Sequence, residues 1–273
     1  MAQDAARPKG RVLIVAGSDS GGGAGIQADI KTVTALGGYA MTAITAITVQ
    51  NTMGVTNVHP VPAEIVREQI EAVMSDLGSD VWKIGMMGSP DHVRAVMEAW
   101  YAVGDGAPVV LDPVMIAKGG AKLLEDAAIE IIQNELMPVA AIVTPNAPEA
   151  EALTGIDVRD LDGQMDAADV LVNKLGAWSA LVKGGHINGE TIRDVLLTRD
   201  GYRVFESPRI ETRATHGTGC TLASAIAAHM ALGEGLEPAV EKARAYVMEA
   251  IRNAPGFGKG HQPLGHNWPF RRT

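Results

Sequence analysis

The sequence predicts an α/β fold with a mostly parallel central sheet, and three observations carry that expectation. Short apolar runs alternate along the chain with segments of helical period, the pattern left by βαβ units. The first run passes straight into a glycine-rich loop and then a helix, the layout of a ligand site at the carboxyl edge of a parallel sheet. Polar and charged residues follow several later runs, where open α/β sheets gather their ligands.

In order, the expected strands are residues 11–16, 41–49, 81–84, 109–111, 140–143 and 179–182. Helical period falls between them at 25–36, 63–74, 91–101, 126–135, 148–153 and 166–175. Ser89-Pro90-Asp91 reads as an N-cap, a proline in the first turn and an acid that favours the helix dipole. Around Arg199-Asp200-Gly201 the period changes, and Val195-Leu196-Leu197 and Tyr202-Arg203-Val204-Phe205 flank an Asp-Gly turn. That is the signature of an antiparallel edge hairpin. Two helices, 220–232 and 238–252, close the chain. No long linker, repeat or low-complexity run interrupts it, so residues 1–273 are expected to form a single domain, with poorly ordered tails at 1–10 and 261–273.

Composition excludes several function classes. The 273 residues are 47% hydrophobic, enough for a full core, and carry a net charge of −9, which argues against a nucleic-acid partner. The stretch 32–63 has no acidic or basic residue, yet its seven threonines, Gln50, two asparagines, His59 and two prolines exclude a membrane span. A single cysteine forbids an internal disulfide and fits a reducing compartment. No secretory h-region is visible, and the expectation is a soluble cytoplasmic protein.

The most informative segment is Thr215-His216-Gly217-Thr218-Gly219-Cys220-Thr221, a glycine-rich turn running into a helix. Such a junction aims backbone N–H groups and the positive end of a helix dipole at one spot, where phosphate binds. Cys220 opens that helix, and a helix N-terminus favours the thiolate. A second glycine loop, Gly17-Ser18-Asp19-Ser20-Gly21-Gly22-Gly23-Ala24-Gly25, follows the first strand. It is not a Walker A loop, since no G-x-x-x-x-G-K-[ST] string occurs. A dinucleotide fingerprint forced onto Gly23–Ala28 lacks its acid about twenty residues on, because none lies between Asp29 and Glu64. A nicotinamide dehydrogenase is therefore disfavoured.

Asp112, Asn146, Glu149 and Lys183 each follow an expected strand. The two carboxylates could hold Mg²⁺, which takes oxygen ligands, and the lysine could act as a point charge on phosphate. Each has a plainer reading. Asn146 and Glu149 could cap the next helix, and Asp112 could cap a turn. Together, on consecutive strand ends with two glycine loops, they point to an active site. His216 reads as a loop residue supporting its turn, with a general-base role as the lesser reading. His59, His92 and His229 read as surface or packing residues, and no spacing resembles a zinc site.

These segments, taken in order, resemble the hydroxymethylpyrimidine/phosphomethylpyrimidine kinases of thiamine biosynthesis, in the ribokinase superfamily. The resemblance runs from Val12 to about His261. It rests on the two glycine loops together with Val49-Gln50-Asn51-Thr52, Lys83-Ile84-Gly85-Met86, Leu111-Asp112-Pro113-Val114-Met115, Thr144-Pro145-Asn146-Ala147-Pro148-Glu149, Val182-Lys183-Gly184-Gly185-His186 and Gly258-Lys259-Gly260. It implies a ribokinase-like three-layer αβα sandwich, usually a homodimer, using ATP and Mg²⁺. It also implies phosphorylation of 4-amino-5-hydroxymethyl-2-methylpyrimidine, then of its monophosphate.

The pyrimidine is then expected near Gly17, Ala24, Gln50, Met86 and Val114, with Asp29 contributing. An amide such as Gln50 offers a donor and an acceptor to an aminopyrimidine. Asp112, Glu149 and Asn146 are expected to organise Mg²⁺. Lys183 is expected to neutralise phosphate, and the amides of Gly217, Thr218 and Gly219 to form an anion hole. Cys220 is expected to accept the substrate hydroxyl proton, where the wider superfamily has aspartate. Two alternatives stand beside this. One is a pyridoxal or pyridoxine kinase of the same fold, and the other is a non-catalytic ligand-binding protein.

Overall fold

The computed structural model describes residues 9–116, 120 and 123–270. Nine strands form one sheet in the order β3-β2-β1-β4-β5-β6-β7-β8-β9. They are β1 (Arg11–Asp19), β2 (Tyr39–Asn51), β3 (Gly54–Pro60), β4 (Val81–Ile84), β5 (Val109–Leu111), β6 (Ala140–Val143), β7 (Ala180–Val182), β8 (Thr191–Thr198) and β9 (Gly201–Pro208). The six strands from β2 to β7 in that row pair in parallel, and β3, β8 and β9 are antiparallel.

The central strands are apolar on both faces because helices cover both sides. Alternate residues divide between two cores. Leu13, Val15, Trp82, Ile84, Val109 and Leu111 pack with α2 (Ala63–Asp76), α3 (Pro90–Val103) and α6 (Leu161–Asp169). Val12, Ile14, Val81, Val110, Ile142 and Leu181 pack with α1 (Gly25–Ala35), α7 (Thr218–Ala231) and α8 (Leu236–Arg252). The expected three-layer αβα sandwich is thus present. The edge hairpin is too, with Thr198 paired to Gly201 and Leu197 to Tyr202.

Several boundaries differ from the sequence reading. β3 was not expected, because its exposed residues carry no buried face to set a period. Helix α6 starts five residues earlier than expected, where Asp160 accepts from the Gly163 N–H at 2.9 Å. The expected helix 126–135 is a short α4 (Asp126–Ile131) that widens into a π turn at Ile132–Leu136. Helix α3 has its expected cap, with Ser89 accepting from the His92 N–H.

The expected C-terminal tail is corrected over most of its length. Leu264 and His266 are buried, the Tyr246 hydroxyl donates to the His266 carbonyl at 2.7 Å, and the Trp268 ring lies 5.9 Å from that of Tyr246. At the other end Gly10 is buried and joins β2 through Tyr39 N–H. The remainder of both expected tails, residues 1–8 and 271–273, lies outside the described residues.

Candidate active site

Strand β1 ends in Asp19, and the chain turns so that several amides point back at that carboxylate. Asp19 accepts from the N–H groups of Gly21, Gly23 and Ala24 at 2.7, 3.0 and 2.8 Å. It also meets His216 Nε2 at 2.8 Å, which ties the first glycine loop to the second. Burial would raise this carboxyl, but His216 and the loop amides outweigh it and hold it below its ordinary value. The loops touch through backbone as well. Gly217 has φ +81°, and a β-carbon there would overlap the Gly23 carbonyl oxygen. Only glycine serves at that position.

Helix α7 opens from Gly217 with no side-chain cap, so its first amides are left for a ligand. The ends of β5, β6 and β7 face this turn. Asp112 Oδ1 accepts from Lys183 Nζ at 3.1 Å, while Asp112 Oδ2 is buried with no partner among the described residues. Glu149 and Asn146 form a capping box at α5 (Ala147–Thr154). Glu149 N–H donates to Asn146 Oδ1 at 3.0 Å, and Asn146 N–H to Glu149 Oε2 at 2.8 Å. The plainer reading of this pair is therefore correct, yet both residues still line the cavity.

Burial pushes the Glu149 carboxyl up to about 7, with Lys183 opposing and Asp112 adding to the rise. Burial would lower Lys183, but Asp112 and Glu149 outweigh it and raise that ammonium. Among the described residues no three His, Cys, Asp or Glu side chains converge as a ready-made metal cluster. The orphaned Asp112 oxygen beside Glu149 nevertheless fits Mg²⁺, which takes few protein ligands and keeps several waters.

Asp29 is a correction. It is fully buried, its Oδ2 accepts from Lys83 Nζ at 2.9 Å and its Oδ1 from the Ser224 hydroxyl at 2.7 Å. It does not line the cavity, whereas Lys83 does. Asp29 is the counter-ion of a buried lysine, not a contact to ligand. The sequence held a signal for this pair, a lone lysine in the apolar run of β4 and a lone acid on the inward face of α1.

Cys220 also departs from expectation. The residue is half-buried, and desolvation pushes its thiol up to about 12. Lys83 pulls it down, while Asp29 and Asp112 push it further up. The helix N-terminus therefore does not outweigh burial at this thiol.

The other expected residues share one cavity of about 340 Å³. Gly17, Ala24, Gln50, Met86, Val114, Asp112, Asn146, Glu149, Lys183, Gly217, Thr218, Gly219 and Cys220 all line it. A β-carbon on Gly17 would stand 2.9 Å from Met86 Sδ, so glycine lets that side chain reach the wall. The lining also includes the apolar residues Ile210, Leu222, Val247, Met248 and Ile251. Sequence reasoning missed Asp19, Lys83, Thr48 and Arg209 as lining residues. Arg209 belongs to none of the sequence motifs, and its guanidinium holds the 185–189 loop through the Gly185 and Gly189 carbonyls.

Fold and site together define a small-molecule phosphotransferase, in which one cavity is lined by a glycine turn at a helix N-terminus, a lysine, a carboxylate pair and a side-chain amide. The comparisons agree. The phosphomethylpyrimidine kinase family model matches residues 19–265, and the chain belongs to that family. The chain is 46% identical over 264 residues to the hydroxymethylpyrimidine/phosphomethylpyrimidine kinase of Bacillus subtilis, spanning 96% of each protein. It is 48% identical over 259 residues to the thiamine biosynthesis bifunctional protein ThiED of Geobacter sulfurreducens. That match takes 95% of this chain but spans about half, 52%, of that relative's length. In structure it superposes on the ADP complex of Bacillus subtilis pyridoxal kinase with a TM-score of 0.87 at 32% identity, covering 95% of this chain and 98% of that one.

Proposed function

We propose that this chain transfers the γ-phosphoryl group of ATP to the hydroxyl of 4-amino-5-hydroxymethyl-2-methylpyrimidine, and then phosphorylates the monophosphate to the diphosphate. The observation that carries the reading is that one cavity is lined by Gln50, Met86 and Val114 together with Lys183, the Gly217–Gly219 turn and Cys220. Family membership supplies the reaction class, and the related pyridoxal kinase, solved as an ADP complex, supports a nucleotide in the same fold.

In this reading Gln50 binds the ring edge, while Met86 and Val114 hold its faces. The amides at the α7 N-terminus and Lys183 cradle the transferring phosphoryl, where charge neutralisation carries most of the barrier reduction. Asp112 and Glu149, with Asn146 beside them, would hold Mg²⁺, which when bound spreads positive charge over the phosphate oxygens. Cys220 rests as the thiol. Only its thiolate could take the substrate hydroxyl proton, so the thiol proton would have to leave to solvent first, a loss that Lys83 favours and that burial, Asp29 and Asp112 oppose. A homodimer and a cytoplasmic location belong to the same proposal. Among the described residues no helix is long and apolar enough to cross a membrane.

A second reading, a pyridoxal kinase, is favoured by the 0.87 TM-score to such an enzyme. A coupled ADP-release assay with ATP and Mg²⁺ separates the two, offering the pyrimidine, its monophosphate and pyridoxal in turn. Turnover of both pyrimidines supports the proposal, and turnover of pyridoxal alone overturns it.

A further inference from the structure

Gln50 stands between two residues that fix which way its amide points. Its backbone is pinned on both sides by Ser20, whose hydroxyl accepts the Gln50 N–H and donates to the Gln50 carbonyl, each at 2.9 Å. At one end of the side chain, Gln50 Nε2 and His216 Nε2 approach at 3.5 Å. At the other, Gln50 Oε1 lies 3.0 Å from Thr48 Oγ1, which also lies 2.9 Å from the Ser18 carbonyl oxygen.

The proton inventory does not allow that arrangement to be the resting one. Asp19 already takes three backbone N–H groups and, as a carboxylate, can only accept. The hydrogen shared between Asp19 and His216 therefore sits on His216 Nε2. That ring nitrogen is a donor and cannot receive the Gln50 N–H. Thr48 has one hydroxyl proton, and the Ser18 carbonyl can only accept it, so Thr48 offers lone pairs to Gln50. Amide oxygen and nitrogen are told apart by such networks. Rotating the Gln50 amide by half a turn lets its nitrogen donate to Thr48 and removes the donor–donor opposition at His216, whose N–H is aimed at Asp19 and reaches the Gln50 oxygen only as a weak shared contact at 3.5 Å.

We infer that Asp19, His216 and Thr48 are positioning residues that lock the polarity of the Gln50 amide and so make the pocket select a 4-amino over a 4-oxo pyrimidine. This rests on the proposed pyrimidine kinase reading. With the amide locked, the remaining lone pair of Oε1 and the remaining N–H of Nε2 face the cavity in a fixed order. An aminopyrimidine edge presents an amino donor beside a ring-nitrogen acceptor and matches that order one way round. The 4-oxo compound in its lactam form presents a carbonyl beside a ring N–H, the reverse pattern. A freely turning amide would flip and accept both. A locked one would have to bury two mismatched pairs to bind the oxo compound.

The test is steady-state kinetics with ATP and Mg²⁺ on 4-amino-5-hydroxymethyl-2-methylpyrimidine and its 4-oxo analogue. Wild type should favour the amino compound by at least ~100-fold in kcat/KM, as expected where a site's polar groups go unpaired. Thr48→Val removes the lone pairs that hold the Gln50 nitrogen. It should narrow the preference at least tenfold, with KM rising for the amino compound and falling for the oxo compound. Thr48→Ser, which keeps the hydroxyl, should restore the wild-type ratio. A merely structural role for Thr48 would alter both substrates in parallel and leave the ratio unchanged. Wild-type kcat/KM values within threefold of each other, or a ratio unmoved in Thr48→Val, overturn the lock. Turnover of pyridoxal with neither pyrimidine overturns the substrate reading and this inference with it.

Discussion

In Gly219→Ala the new methyl would stand 3.3 Å from Lys183 Nζ and 3.5 and 3.8 Å from the two carboxylate oxygens of Asp112, with no backbone atom in its way. Gly219 lies in the first turn of α7 and does not have a positive φ, so alanine fits the local conformation. Replacing glycine by alanine in a helix stabilises it by about 0.5–1 kcal/mol. In a chain of 273 residues that raises Tm by about 2–4 °C at most. The same methyl projects from the start of α7 onto the Lys183–Asp112 pair, where the transferring phosphoryl is proposed to sit. Disturbing one anion-hole donor costs about 10²–10³ in kcat, or about 3–4 kcal/mol of transition-state stabilisation. The expected variant is as stable as wild type or slightly more so, and about a hundredfold slower. Differential scanning fluorimetry and the coupled ADP assay on one preparation read both quantities. A kcat within threefold of wild type at unchanged Tm refutes the placement of the phosphoryl. A Tm lowered by more than about 5 °C refutes the claim that the conflict is confined to the site.

Cys220 is the sole cysteine, so iodoacetamide uptake reports it alone. With the thiol pushed up to about 12, the alkylation rate of the unliganded protein should climb about tenfold per pH unit from 7 to 10. A plateau near pH 7–8 contradicts the burial argument, and full activity of the alkylated protein removes Cys220 from the reaction. Asp112→Asn should raise the Mg²⁺ concentration for half-maximal activity at least ~10-fold, whereas an unchanged Mg²⁺ titration dissociates Asp112 from the metal. Burial depresses His266 to about 4, against 6.5 for the free side chain. The folded state then binds fewer protons than the unfolded one, so this contribution is complete above about pH 6.5 and is lost as pH falls toward 4. Urea titrations at pH 7.5 and 4.5 should show His266→Gln losing about 2–3 kcal/mol less than wild type over that range. Equal losses refute the assignment.

Much of this was legible because the central strands announce themselves. Runs such as Val12-Leu13-Ile14-Val15 are apolar on both faces, and the polar residues that end the next strands, Asp112 and Lys183, stand at the sheet's carboxyl edge. What escaped notice depended on contacts far apart in sequence. Asp29 reads as a pocket acid until Lys83, 54 residues on, is seen to neutralise it. His216 looks like a turn residue because its partner, Asp19, is 197 positions away. β3 was missed since an exposed edge strand has no core to impose alternation. The rise of the Cys220 thiol ran against the helix-dipole expectation because desolvation and two carboxylates outweigh half a unit of positive charge.

The back-to-back seating of Gly23 against Gly217 has a consequence for anyone reshaping this enzyme. A β-carbon on Gly217 would overlap the Gly23 carbonyl, and one on Gly23 would overlap the His216 ring. The two turns thus behave as one unit, split across almost two hundred residues of chain. Libraries that vary either loop alone should yield inactive clones wherever a side chain enters this seam. Grafting a new specificity onto the scaffold will require exchanging both loops from the same donor.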